Sequence, residues 1–244
     1  MQVINILIMI QEDYIKIYEY KSMGKEYNGE KACISLTSWK ARINTVTKTL
    51  FSLIKQCPGF HIVLVLSKDE FPLMEKELPN NLMLFVKNKL IELLWIRPNL
   101  KSFKKVLFTM DKYRNVPVIS ADDDCIYQYN YADDLYKKWV KNKSDIIGVA
   151  KCMGSGYGII FPPYVFNEYG IKFLKNSKII LTNHDDLYYR ILAEKMKINF
   201  YGTLFIQDAK KLVVFHDENE SITSKKTAID KLNQEYFNKI IKCN

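Results

Sequence analysis

The sequence predicts a single α/β domain with a mostly parallel sheet flanked by helices. Three observations point there. Short β-prone runs alternate with segments whose apolar residues recur at helical spacing. Two of those runs, His61 to Leu66 and Val116 to Ala121, are almost uninterruptedly apolar, as strands covered on both faces are. Three aspartates, Asp122, Asp123 and Asp124, begin where the second run ends, and ligands of open α/β sheets gather at the carboxyl ends of strands.

In chain order, residues 1–30 read as a partly amphipathic lead-in that closes in the polar stretch Gly24 to Gly29. The domain is expected over 31–220. It opens with a β-prone Ala32 to Thr37, and a helix follows from Val46, Leu50, Leu53 and Ile54, stopped by Cys57-Pro58-Gly59. After the His61 strand come a helix-like Phe71 to Leu78, a β-prone Met83 to Val86, and a helix over Leu100 to Tyr113 carried by Leu100, Phe103, Leu107 and Met110. Beyond the Val116 strand the pattern predicts a helix at Asp133 to Lys141, strands at Ile146 to Ala150 and Gly158 to Phe161, and a helix from Asp185 to Met196. A strand at Leu212 to Phe215 and an amphipathic helix over Lys225 to Lys242 complete the chain.

The 244 residues, 48% hydrophobic and 26% charged, suit a folded protein with a sizeable core. The formal charge of +9 invites a nucleic-acid or acidic-membrane partner, but only Arg42, Arg97, Arg114 and Arg190 supply the guanidinium favoured for bidentate phosphate and base recognition. No nucleic-acid partner is expected. Five cysteines without a CxxC pair argue against a zinc site or a disulfide framework, and a reducing cytosol is the default. The apolar stretch Val3 to Ile10 is too short to span a bilayer, so neither anchor nor signal peptide is expected.

The acidic triplet carries the most chemistry. Three adjacent carboxylates repel one another unless a cation or hydrogen-bond donors compensate. In an extended chain residues i and i+2 point the same way, so Asp122 and Asp124 would face one ligand while Asp123 turns aside. A hard cation, Mn²⁺ or Mg²⁺, takes such oxygen ligands together with substrate phosphates. The same residues also suit a solvated acidic turn that caps the next helix. An EF-hand is excluded, because the turn glycine is missing and Ile126 stands at the fifth position.

Ile34-Ser35-Leu36-Thr37-Ser38-Trp39 with Arg42-Ile43, Lys101-Ser102-Phe103-Lys104-Lys105, Ser120-Ala121-Asp122-Asp123-Asp124, Gly156-Tyr157-Gly158 before Phe161-Pro162-Pro163, and His184-Asp185-Asp186-Leu187 occur in that order. Together they resemble bacterial GT-A-fold glycosyltransferases close to the family-two type, enzymes of capsule or lipopolysaccharide synthesis. The likeness covers roughly residues 32 to 220. It implies a Rossmann-like sheet and a DXD motif in which Asp122 and Asp124 meet the metal, Asp122 and Asp123 belong to the nucleotide-sugar contacts, and Leu36, Thr37, Ser38 and Arg42 lie near the nucleotide. A nucleotide-sugar donor, with a UDP-sugar first, and a saccharide or lipid-linked acceptor follow as partners. A lipid-linked acceptor would bring peripheral contact with the inner membrane face.

Around this motif, Lys101, Lys104 and Lys105 lie near the start of a helix, and one or two of them, Lys101 and Lys104 first, are candidates to reach the diphosphate as point charges, although a solvated basic helix face would use the same residues. Asp185 and Asp186 open the helix after Thr182-Asn183. One of them is the candidate general base for an inverting displacement, and both equally suit the helix dipole. The resemblance makes His216 a candidate third metal ligand. Gly154, Gly156 and Gly158 lack the helix a dinucleotide fingerprint needs, so Gly156 is assigned to close approach of the sugar. A sugar-1-phosphate nucleotidyltransferase is the second reading, weakened because Thr37 to Arg42 contains no glycine. A non-catalytic basic module, resting on the C-terminal lysines, is the third.

Overall fold

The computed structural model describes residues 31–56, 59–148, 158–166, 185–202 and 213–214. The lead-in, Gly154, Gly156, His216 and the expected C-terminal helix lie outside the described residues. Strands β1 (Ala32–Thr37), β2 (Phe60–Ser67), β3 (Glu92–Ile96), β4 (Val118–Ser120), β6 (Ile146–Gly148), β7 (Ile159–Phe161) and β8 (Phe200–Gly202) form one sheet in the order β3-β2-β1-β4-β7-β6-β8. β1 to β4 run parallel to one another, β7 is antiparallel to β4 and β6, and β8 is parallel to β6. The sheet is therefore mixed and mostly parallel. A separate ribbon pairs β5 (Cys125–Ile126) with β9 (Val213–Val214).

Alternation along the central strands divides the core between two faces. Ala32, Ile34 and Leu36 of β1 and Ile62, Leu64 and Leu66 of β2 pack on one side against α1 (Val46–Ile54), α2 (Asn80–Lys87) and α4 (Tyr131–Trp139). On the other side lie α3 (Lys104–Lys112) and α5 (Asp185–Lys195), whose Val106, Leu107, Met110, Tyr188 and Tyr189 cover Cys33 and Val118. Ser35 of β1 points at α3 instead of into oil. It donates to the Lys105 carbonyl at 2.5 Å and meets the Thr109 hydroxyl at 2.7 Å.

Two expected elements change identity. Met83 to Val86 belongs to helix α2, with Leu82 and Phe85 buried three residues apart on one face. The strand of that unit is β3, because two parallel neighbours need a crossover between them and α2 supplies it. Phe71 to Leu78 forms only a 3₁₀ turn, Met74–Glu77, in which no residue is buried, so it has no apolar face to extend. The Leu100 helix starts as a 3₁₀ turn over Lys101–Phe103 before α3 proper. Among the described residues no helix is long and apolar enough to cross a membrane.

At the amino-terminal edge of the sheet, away from the triplet, His61 Nε2 sits 2.7 Å from Glu92, which also takes hydrogen bonds from Lys112 and Tyr113. Partial burial alone would raise the Glu92 carboxyl, but these donors from His61, Lys112 and Tyr113 prevail and hold it at about 2. A depressed carboxylate stabilises the fold fully above its ordinary range and loses that contribution as pH falls toward 2. Glu92→Gln is expected to lower Tm by about 3 °C at neutral pH, a figure discounted for solvent screening. The difference from the parent should vanish in unfolding scans taken toward pH 2.

Candidate functional site

The strand order reverses between β1 and β4, so the crevice of the sheet opens at their carboxyl ends. Thr37 and Ser38 leave β1 there, and the triplet leaves β4 beside them. The Ala121 amide donates to the Ser35 carbonyl at 2.9 Å and carries the pairing one residue past β4. Two tyrosines then hold the departing chain from below. Tyr131 Oη donates to the Ser120 carbonyl at 2.6 Å, and the Asp122 amide donates to Tyr127 Oη at 2.7 Å, with the two rings 4.3 Å apart.

Residues 123 and 124 form a turn, so strand alternation stops before it can sort the carboxylates. This corrects the expectation that Asp122 and Asp124 face together while Asp123 turns aside. Asp122 faces α3 and α5, and its Oδ1 lies 2.7 Å from Lys105 Nζ. Asp123 and Asp124 instead share Arg42. Nη2 is 2.9 Å from Asp123 Oδ1, and Nη1 is 2.5 Å from Asp124 Oδ2. Ser38 Oγ donates to the other Asp123 oxygen at 2.6 Å. Burial pushes the Asp123 carboxyl up to about 6, against the opposing pull of Arg42 and Ser38.

Lys105 also reaches α5, with Nζ 3.0 Å from Asp185 Oδ2. Burial would lower this ammonium, yet the carboxylates of Asp122, Asp185 and Asp186 hold it well above its ordinary range. Asp122 is raised by burial and by the charges of Asp185 and Asp124, with Lys105 opposing. Asp186 is raised strongly by burial and by Asp185. The Lys105 contact is made to the buried Oδ2 of Asp185.

The other expected contacts divide. Thr37 is half-buried and donates to the Val65 carbonyl at 2.7 Å, and Lys101 is exposed at the start of its 3₁₀ turn. Three assignments change. Leu36 is fully buried in the core, so its side chain cannot touch a ligand. Asp123, 2% exposed, braces Ser38 and Arg42 and presents no carboxylate to the crevice. Lys104 is equally buried and bonds Glu70 at 3.1 Å and Asn99 at 3.2 Å. Successive residues of a helix point about 100° apart, so only the second lysine of the pair meets the triplet.

Gly158 has a role other than approach of a sugar. Its φ is +105°, and an added Cβ would overlap the Tyr131 hydroxyl and stand 2.6 Å from Cζ of the ring. The missing side chain makes room for the tyrosine that holds Ser120. Tyr127 and Tyr131 are thus contributors that sequence reasoning passed over, and Lys105 is one that it named but ranked behind Lys101 and Lys104.

Among the described residues no three His, Cys, Asp or Glu side chains converge as a metal cage. A hard divalent ion bound through substrate phosphates needs only one or two carboxylates. Asp122, with 31% of its side chain exposed, and Asp124, close enough to repel it and paired with Arg42, are the two carboxylates of the triplet that remain as candidates. β9 pairs with β5 directly behind the triplet, two residues short of His216.

No protein-family model matches the chain, and no curated protein matches it in sequence. Solved structures do match. A mannosyltransferase from Pyrobaculum calidifontis, in complex with GDP-Man and Mn²⁺, superimposes with a TM-score of 0.50 at 10% identity over 80% of this chain and 63% of its own. TarS 1-349 of S. aureus, in complex with UDP-GlcNAc, gives 0.50 at 14% identity over 81% of this chain and 62% of its own. The chain therefore spans less than two thirds of either protein. The order and directions of the strands, with helices on both faces, are those of the GT-A fold, and this chain is built on it.

Proposed function

We propose that the chain is a metal-assisted glycosyltransferase that moves a sugar from a nucleoside-diphosphate sugar, a UDP-sugar first, to a hydroxyl of a saccharide or lipid-linked saccharide. One observation carries the reading. Carboxylates from the end of β4 and the start of α5 lie within 3.0 Å of the same ammonium, which supports a nucleotide motif and a base that act together. The GT-A fold supports it, as do the donors bound by the two structural neighbours.

Asp122 and Asp124 would hold Mn²⁺ or Mg²⁺, with His216 as a candidate further ligand. Bound there, the ion would offset the charge that develops on the departing diphosphate. Thr37, Ser38, Arg42, Lys101 and Gly156 remain the proposed surroundings of the nucleotide sugar, Ser38 and Arg42 acting through the triplet they brace. The acid at the head of α5 takes the proton of the attacking hydroxyl as its oxygen bonds to the anomeric carbon. The bond to the diphosphate breaks on the opposite side and its electron pair leaves with the nucleotide, which inverts the anomeric configuration. A surface polysaccharide is the proposed destination.

Incubation of the purified chain with a panel of nucleotide sugars, with and without Mn²⁺, tests the reading. Release of nucleoside diphosphate should require the ion. Asp124→Ala should lower turnover about a hundredfold while the unfolding transition persists. Full turnover in the presence of a chelator would overturn the metal assignment, and no turnover with any donor would overturn the function.

A further inference from the structure

Lys105 is 5% exposed and stands at a junction of three elements. Its backbone is pinned to β1, because Ser35 donates to its carbonyl and also contacts Thr109 one turn along. Its side chain reaches past the end of β4 to Asp122 and onward to Asp185. α5 is docked against the same helix head. Tyr189 Oη donates to the Phe103 carbonyl at 2.9 Å, and the Phe103 ring meets Tyr188 and Tyr189 edge-on at 5.1 and 6.3 Å. The backbone of Lys105 and the head of α5 are thus each anchored by packing, and the lysine side chain spans the gap between them.

Two carboxylates facing each other, one half-buried and one buried, would repel. An ammonium between them holds both in place. The Lys105 contact fixes the Asp185 carboxylate through its buried oxygen Oδ2. Among the described residues Asp186 forms no such ion pair with Lys105; burial first, and then the charge of Asp185, raise its carboxyl.

We propose that Lys105 is a positioning residue that ties the donor-side carboxylate Asp122 to the acceptor-side carboxylate Asp185, and that Asp185, so held, is the base. The assignment rests on the function proposed above. It distinguishes the two acids at the head of α5 and places the lysine between the two halves of the reaction instead of on the diphosphate.

Lys105→Met, Lys105→Gln and Lys105→Arg in the full chain test it. Removal of the ammonium should lower kcat about a hundredfold in the Met variant. Mn²⁺ binding in the presence of UDP, followed by calorimetry, should be retained or tightened, because Asp122 no longer shares a cation. Arg should recover at least tenfold of the kcat lost in Met. Gln, which keeps two hydrogen-bond donors, carries the measurement if Met does not fold. Asp185→Asn should cost at least tenfold more kcat than Asp186→Asn. An unchanged kcat in folded Lys105→Met or Lys105→Gln would overturn the proposal, and so would parallel loss of kcat and Mn²⁺ binding, the mark of a merely structural lysine.

A wild-type chain inactive with every donor would sink the glycosyltransferase reading alone. The Lys105 link is then tested on stability: the effects of Asp122→Asn and Asp185→Asn on unfolding should be non-additive in the parent and additive in Lys105→Gln. Additivity in both backgrounds would refute the link itself.

Discussion

Arg42→Met is expected to destabilise the fold by about 3–5 kcal/mol, because it strips the shared partner from two buried carboxylates and leaves their charges uncompensated. Arg42 and both aspartate side chains are almost enclosed, so water cannot replace the guanidinium. Among the described residues, Ser38 would remain as the hydrogen-bond donor to Asp123. Lys at position 42 should recover little, since one ammonium cannot reproduce two parallel contacts from a planar fork. The loss has a defined pH dependence. Asp123 already lies at about 6, above its unfolded value, and loss of Arg42 raises it further. A raised carboxyl favours the fold at low pH, where it is protonated, and that contribution is lost as pH rises through the folded value. The stability gap between Arg42→Met and the parent should therefore widen from pH 4 to pH 7. Asp123→Asn added to Arg42→Met should close much of it in chemical denaturation; a gap that stays constant with pH would rule out the buried-charge explanation.

Gly158→Ala should be nearly as damaging, by about 3–5 kcal/mol, or a fall in Tm of roughly 10 °C. Two costs combine. A side chain at a φ of +105° is strained by about 1–3 kcal/mol, and forced overpacking adds about 1–3 kcal/mol. The clash is with a rigid ring that packs at a tilt against Tyr127 and is bonded to the Ser120 carbonyl, so it cannot be relieved by a rotamer change. Tyr131→Phe should not rescue the variant, because Cζ and Cε2 also lie too close. Smaller replacements at position 131 should recover the overpacking part and leave the backbone part. The displaced tyrosine would also release the start of the triplet, so nucleotide binding should weaken even in the folded fraction.

The parts legible in the sequence are those whose cause is local. Strands β1, β2 and β4 announce themselves because burial on both faces demands unbroken apolar runs, and α3 because its Phe103, Leu107 and Met110 share a face. Met83 to Val86 failed for the same reason: four apolar residues have no period, and only the neighbouring Leu82 and the need for a crossover make them helical. Within the site, sequence located the triplet and the acids of α5 as separate clusters. That Asp185 meets Asp122 through Lys105 depends on how α5 docks on α3, which no local pattern encodes. The choice of Lys104 over Lys105 failed on helix phase, since a one-residue error in the start of α3 turns a side chain by about 100°. The pairing of Gly158 with Tyr131 is a contact between distant segments and has no signature in either.

The two lysines at the head of α3 give that helix a fixed angular setting, like a key with two teeth. Lys104 engages Glu70 and Asn99 on one side, Lys105 engages Asp122 and Asp185 on the other, and Thr109 one turn later engages Ser35. Length changes in the loop ahead of Leu100 can be absorbed at the surface. A single residue gained or lost between Lys105 and Thr109 cannot, because it would rotate one set of contacts by about 100° against the other. Among proteins descended from a common ancestor with this one, insertions and deletions should therefore collect before that helix and be absent from its first two turns.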